Sequence, residues 1–319
     1  MKYNRCGRSG LSLPVFSLGL MTVFKSGLQE GTKILSRAFD AGITHFDLAK
    51  GYRGQDGFAE EYLGKVLKTE LAGHRDELIL SSKAGWGNGS RKELVLSLDE
   101  SLRRMGIDYV DIFYHHGPDP LTPMEETMET LDMLVRQGKA LYIGISNYSL
   151  PQMEVALKIL KSLGSRCLIY QANYNLFCRW MESSGLFELL EREGIGCIVY
   201  NPLMSGLLND KTDILTESQS RLIKAIQDAV QASDPSFQYL KAPDVKGQVL
   251  QKIQALSVIA KNRRQSLSQM ALAWILQNKN VTSALFGASA ITQLEENVLA
   301  VENLEFSQSE LNDVRKIIS

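Results

Sequence analysis

Four side chains define the chemistry this chain could perform: Asp47, Tyr52, Lys83 and His116. They lie in ITHFDLAKGY, LILSSKAG and VDIFYHH, at or just past the ends of short runs rich in β-branched and aromatic residues. A buried ammonium is costly unless a carboxylate pairs with it, and Asp47 can serve Lys83 in that way. A phenol titrates near pH ~10, and an adjacent cation lowers that value. Tyr52 beside Lys83 would then be an acid able to protonate a developing alkoxide, while His116 hydrogen-bonds and orients the carbonyl oxygen. Each residue also has an ordinary alternative. A lysine at a strand end is often a surface salt bridge, Asp47 can cap a helix, and a loop tyrosine commonly packs with its tip hydrogen-bonded. His115 and His116 are neighbours on one strand and face opposite ways, so one points away from the site; the sequence alone leaves open which.

The elements that must position these residues alternate strictly. Strands are predicted at 15–20, 43–49, 78–84, 110–116, 140–147, 168–175, 196–203 and 281–288. Helical patterns lie between them: Leu94, Leu98 and Leu102 mark one apolar stripe, and Met128, Leu131 and Leu134 another. Gly42, Gly106, Gly138 and Gly194 stand just past helix ends. Ser90 and Thr122 stand at expected N-caps, with Pro123 at the first helical position. Strand–helix alternation implies parallel strands with helical crossovers, and eight units close a barrel. The expected fold class is therefore α/β, a (β/α)8 TIM barrel forming one domain over residues 1–319. A doubly wound open sheet is the alternative, but the first strand runs into LMTVFKSG without a GxGxxG loop. GWGNG at 85–89 has the wrong spacing and reads as a βα loop. Residues 204–280 break the pattern as a long loop and helical insert after the seventh strand. Its middle reads as polar and irregular, and its end, LSQMALAWILQN, as an apolar helix.

Bulk properties narrow the function. The chain has 319 residues, 44% of them apolar and 22% charged, enough for a full core. A net charge of −1 gives no field that favours nucleic acid or an anionic membrane. Cys6, Cys167, Cys178 and Cys197 are scattered, MKYNRCGRSGLSLP has no apolar signal core, and no run approaches a membrane span. A cytoplasmic protein with reduced thiols is expected. A metal-dependent barrel hydrolase would need a His and carboxylate cluster at the strand ends, where only His116 and Asp47 are available, so no metal is expected.

ITHFDLAKGY with GFAEEYLGKVL resembles the aldo-keto reductase signature around the catalytic Asp and Tyr. LILSSKAG resembles that family's lysine strand, and DYVDIFYHHGPDPLTPMEETMETL its histidine strand and following helix. GKALYIGISNYS and YQANYNLF resemble its nicotinamide-carboxamide segments, and GASAITQLEENV its adenosine-end motif. The matches run in order from about residue 3 to 314, and HHGPDP with TPMEET is similar to the branch of bacterial glyceraldehyde-3-phosphate reductases and potassium-channel β subunits. The resemblance implies a small-molecule carbonyl substrate, NADP(H) as cofactor, and Asp47, Tyr52, Lys83 and His116 as catalytic residues. It implies that Ser146, Asn147 and Gln171 hold the carboxamide and that Tyr200 stacks on the ring. Asn201, Leu203, Ser205 and Gly206, in NPLMSGLL, would meet the pyrophosphate.

Lys211 and Ser220-Arg221 match the spacing of a phosphate-binding strap, although the chain reads NDKT at 209–212 where relatives read TGKY. Gly287, Ser289, Gln293, Glu296 and Asn297 would surround the adenosine end, with Glu296 nearer the adenine. Residues 288–297 contain no basic side chain, so a preference for NADP leans on Ser289, Gln293, Lys211 and Arg221. Met21 stands where the branch often has a pocket tryptophan, and Trp86 is the compensating candidate; both are expected to meet substrate. Relatives of this branch assemble as tetramers or octamers, so a homo-oligomer is possible by analogy. The alternative to an enzyme is a redox-sensing binding subunit like the channel β subunits, which can retain the tetrad.

Overall fold

The computed structural model describes residues 1–51, 57–209, 217–231 and 245–319. Two short strands, β1 (Tyr3–Arg5) and β2 (Ser12–Pro14), form an antiparallel hairpin that the strand pattern above does not include. The eight expected strands all form. They are β3 (Phe16–Gly19), β4 (His45–Asp47), β5 (Ile79–Lys83), β6 (Val110–His115), β7 (Ala140–Ser146), β8 (Cys167–Asn173), β9 (Gly196–Tyr200) and β10 (Ser283–Phe286). All pair in parallel and close in the order β10-β3-β4-β5-β6-β7-β8-β9. This is the (β/α)8 barrel.

Twelve α-helices are described: α1 (Leu28–Asp40), α2 (Phe58–Val66), α3 (Arg91–Met105), α4 (Met124–Arg136), α5 (Leu150–Ser162), α6 (Trp180–Ser183), α7 (Leu186–Glu193), α8 (Glu217–Gln231), α9 (Val245–Asn262), α10 (Leu267–Ile275), α11 (Ile291–Val298) and α12 (Gln308–Ile318). Leu94, Leu98 and Leu102 are buried on α3, as the fourfold spacing requires. Helix α4 begins one residue later than expected, with Pro123 at its N-cap. Thr122 does not cap it, because its hydroxyl donates instead to Asp119 at 2.6 Å.

Two-residue alternation separates the barrel interior from the helical layer. Ile112, Tyr114, Ile169, Ile198 and Leu285 fill the barrel interior, whereas Phe113 faces the helical layer. Cys6 and Leu13 of the hairpin join the interior cluster and close its floor. Gly7, at φ 53°, lies so close to Gly194 that an added Cβ would sit 2.1 Å from the Gly194 carbonyl oxygen.

The insert is more regular than its polarity implies. Residues 217–231, read as irregular, form α8, because Ile223 and Ile226 recur one turn apart and are buried. They join Val245, Val249, Ile253 and Leu256 of α9 and Val314 of α12 in a second core beside Phe177, Met204 and Leu207. No helix among the described residues is long and apolar enough to cross a membrane.

Tyr114 can occupy the interior only because β7 carries glycine opposite it. A Cβ at Gly144 would lie 2.3 Å from the ring. Gly144→Ala is therefore expected to cost about 1–3 kcal/mol through overpacking. Urea unfolding checks this, and an unchanged midpoint would contradict the close packing.

Candidate active site

Parallel pairing brings the carboxyl ends of all eight strands to one mouth, where βα loops project. Asp47 and Lys83 end β4 and β5 there, and both side chains are fully buried. The Lys83 ammonium donates to Asp47 Oδ2 and, at 2.7 Å, to the Leu48 carbonyl. Asp47 Oδ1 accepts from Ser81 Oγ at 2.6 Å and from Gln171 Nε2 at 3.4 Å. Burial raises the Asp47 pKa, but the charges of Lys83 and His45 and the hydrogen bonds from Lys83 and Ser81 outweigh it and hold the carboxyl below its ordinary range. Burial draws Lys83 below the usual lysine range, against the pull of Asp47 and Glu60. The Lys83 ammonium also sits 5.6 Å from the centroid of the Tyr114 ring.

The two histidines separate by strand parity. His115 turns to the helical layer, where Nδ1 meets Tyr148 Oη at 2.6 Å. His116, one residue on, faces the mouth. Burial and the Lys83 charge hold its pKa down at about 4, against the pull of Asp47, so its ring is neutral at ordinary pH. Trp86 packs edge-on against it at 5.0 Å. Trp86 is 64% exposed and Met21 52% exposed, as rim residues would be. The Tyr52 position lies outside the described residues. Of the described residues on either side, Gly57 donates its N–H to the Lys50 carbonyl at 2.8 Å.

The carboxamide candidates form one network. Ser146 Oγ donates to the Gln171 carbonyl at 3.0 Å. Asn147 Nδ2 donates to the His116 carbonyl and to Ser146 Oγ, each at 2.9 Å. The Tyr200 hydroxyl donates to Asn147 Oδ1 at 2.9 Å, which orients its ring toward the same end. Backbone strain gathers here too: Asn147 (φ 62°), Asn201 (57°), Met204 (52°) and Ser205 (52°) are left-handed without being glycine. Such residues cost about 1–3 kcal/mol each and cluster at binding sites. Asn201 Oδ1 accepts from the Ser205 N–H at 2.7 Å, locking the turn, and Leu203 lies against both larger cores. Gly206 continues it, its carbonyl accepting from Gln219 Nε2 at 2.8 Å and from the Asn209 amide.

The adenosine-end candidates are less converged. Gln293 Oε1 accepts from the Ser289 N–H at 2.9 Å and from Ser289 Oγ at 3.1 Å. Glu296 is exposed, Asn297 is buried, and Gly287 lies where a Cβ would come 2.6 Å from Thr22 Oγ1. The Arg221 side chain is 73% exposed and pairs with Glu217 at 3.0 Å, one turn back on α8. Lys211 lies outside the described residues. Two features escaped the residue-by-residue reading: the Gln219 tie from insert to turn, and a polar layer of His45, Ser81 and Ser17 below Asp47. Parity could have found the second, since His45 and Asp47, like Ser81 and Lys83, are two apart on one strand.

Barrel and mouth define a class, the (β/α)8 oxidoreductases with a lysine–carboxylate pair at the strand ends. The Aldo/keto reductase family profile matches residues 16–319, and the chain belongs to that family. It is 44% identical to L-glyceraldehyde 3-phosphate reductase of Escherichia coli (strain K12), over 100% of this chain and 93% of the relative. It is 32% identical to the "Probable voltage-gated potassium channel subunit beta" of Oryza sativa subsp. japonica, over 98% of this chain and 95% of the relative. A thermostable aldo-keto reductase, Tm1743, solved in complex with the inhibitor epalrestat, superposes with a TM-score of 0.77 at 28% identity, covering 99% of this chain and all of that one. Aldo-keto reductase AKR11C1 from Bacillus halodurans, at 24% identity and a TM-score of 0.80 over 99% of this chain and 96% of that one, shares the fold.

Burial also holds His45 and His115 at about 4, like His116. An unfolded imidazole titrates near pH ~6.5, so between these values the unfolded chain binds protons that the folded chain does not. Stability is therefore expected to fall as pH drops through this window, and the depressed carboxyls of Asp47 and Asp119 extend the loss below it. Near pH 5.5, unfolding should take up about two to three protons, read by calorimetry in buffers of different ionisation enthalpy. An uptake below about one proton would contradict neutral buried imidazoles.

Proposed function

We propose that the chain reduces small aldehydes and ketones to alcohols with NADPH, using Tyr52 as general acid. The observation that carries this reading is the buried Lys83–Asp47 pair at the barrel mouth with neutral His116 beside it. A buried ammonium held by a carboxylate is a fixed positive charge, the device a phenol needs to become a usable acid. Asp47 keeps Lys83 in place, and Lys83 favours the phenolate form of Tyr52. The neutral imidazole of His116 offers a hydrogen bond to the carbonyl oxygen without competing as a second cation. Trp86, over His116, and Met21 border the substrate.

The donor set fits a nicotinamide dinucleotide: paired amide and hydroxyl groups at Ser146, Asn147 and Gln171, beside a left-handed turn at 204–206. When bound, that cofactor supplies the hydride. Ser146, Asn147 and Gln171 hold its carboxamide, and Tyr200 backs the ring. Asn201, Leu203, Ser205 and Gly206 take the pyrophosphate. Gly287, Ser289, Gln293, Glu296 and Asn297 serve the adenosine end, and Lys211 and Arg221 supply cations for the extra phosphate that distinguishes NADPH. The relative at 44% identity makes glyceraldehyde 3-phosphate the first substrate to test, with methylglyoxal and 4-nitrobenzaldehyde beside it. Four buried, uncrosslinked thiols support a reducing, cytoplasmic setting.

Tyr52→Phe is expected to lower kcat by at least about a hundredfold with NADPH affinity kept, measured by NADPH absorbance and by quenching of tryptophan fluorescence. Near-wild-type turnover in that variant sinks the mechanism. Similarity to the channel β subunit favours a second reading, a redox-sensing binding subunit. Tight NADPH binding without turnover across the carbonyl panel would select it.

Cofactor preference has its own test. Lys211→Ala and Arg221→Ala should each raise KM for NADPH roughly tenfold or more while leaving KM for NADH unchanged, the signature of a lost charged contact to the extra phosphate. Equal effects on both cofactors would place these cations elsewhere.

A further inference from the structure

Barrel interiors are normally packed with branched apolar side chains. Below the Asp47–Lys83 pair this barrel instead holds a continuous polar chain from four strands. Ser283 of β10, Ser17 of β3, His45 of β4 and Ser81 of β5 are all fully buried. Ser283 Oγ meets Ser17 Oγ at 2.7 Å, and Ser17 Oγ meets His45 Nδ1 at 2.9 Å. His45 Nε2 meets Ser81 Oγ at 3.0 Å, and Ser81 Oγ reaches Asp47 Oδ1 at 2.6 Å. Unsatisfied polar groups at such depth are expensive, so a chain with every link made calls for a reason.

Proton counting sets the direction of each link. Asp47 is ionised and only accepts, so Ser81 spends its one proton on Asp47. Ser81 Oγ must then accept from His45, which puts the ring proton on Nε2. In the neutral ring Nδ1 is bare and accepts from Ser17, whose oxygen accepts from Ser283. All the donors thus point from β10 toward Asp47. A second proton on His45 would sit on Nδ1 and force the Ser17 and Ser283 hydroxyls to reverse. The charged groups acting on the ring are Asp47 and Lys83; β3 and β10 present serine hydroxyls.

We propose that His45 is a positioning residue for carbonyl reduction: locked as the neutral Nε2–H tautomer, it aims Ser81 at Asp47 Oδ1, leaving Oδ2 to hold the Lys83 ammonium under the mouth. This rests on the reductase reading above. It assigns the barrel's polar layer a task, to fix one oxygen of the carboxylate from below so that the cation cannot slide down with it. Burial holds the ring uncharged at neutral pH, in keeping with that tautomer.

Two measurements test it. In protein labelled with 15N at histidine, the His45 ring nitrogens should show the Nε2–H pattern across roughly pH 6 to 8. An Nδ1–H or doubly protonated ring in that range overturns the proposal. His45→Phe keeps ring volume and removes both nitrogens. It is expected to lower kcat by about ten- to a hundredfold and to move the basic limb of the kcat profile upward by about one pH unit. His45→Gln, whose amide can still donate to Ser81, should recover most of the loss. A His45→Phe enzyme with wild-type kcat and pH profile overturns the proposal. Should the wild type turn over no carbonyl, the reductase reading fails by itself. The 13Cε titration of Lys83 then decides, since a titration unmoved by His45→Phe overturns the positioning role. Far-ultraviolet circular dichroism and melting of each variant confirm that the folded protein is being read.

Discussion

A lysine buried at a barrel mouth is tenable only while its carboxylate stays with it, and much of this protein's architecture serves that one ion pair. Removing water from two charges costs several kcal/mol per ion, and their attraction offsets this only when the geometry is good and the remaining lone pairs are satisfied. Both conditions are met. Lys83 has the Leu48 carbonyl as a second acceptor, and Asp47 has Ser81 and Gln171 as further donors. Adjacent parallel strands supply this geometry directly, since β4 pairs with β5 and Asp47 stands opposite Ser81. The pair is thus placed by strand register and then fixed by the buried side chains around it.

Around that fixed charge, the surfaces suited to ligands are built from irregular backbone. Asn147 follows the end of β7 and Asn201 follows β9, and both adopt left-handed conformations that an L-residue enters only at a cost. The barrel meets that cost through its packing, and in return the loops present amide and hydroxyl groups that a regular strand would turn sideways. Rigid strands hold the charged pair, and strained turns hold the candidate recognition residues. The division matches the general placement of functional residues on loops held by a stiff scaffold.

The insert after β9 shows how a polar segment can still be structural. Helices α8 and α9 bury an apolar stripe against Phe177, Met204 and α12, which makes a second core beside the barrel. Gln219 then reaches from α8 to the Gly206 carbonyl, tying this subassembly to the strained turn. A change in the insert's packing would be felt at the candidate pyrophosphate loop through this contact.

Much of this was legible in the chain itself. The alternation of β-rich runs with helical stripes determined eight parallel strands, because hydrophobic period is a local property. The strand-end positions of Asp47, Lys83 and His116 followed from the same runs. Alternation also contained the pairing of His45 with Asp47 and of Ser81 with Lys83, although the residue-by-residue reading passed over it. Residue types alone did not settle which face was inward, so His115 and His116 stayed equivalent until closure of the sheet gave the barrel an inside. Helix α8 was hidden because its polar average masked two buried isoleucines whose partners lie on α9. The directed chain from Ser283 to Asp47 was invisible for a deeper reason. Its links join residues up to 266 positions apart, and only the register between strands of the closed barrel puts a serine on either side of one imidazole.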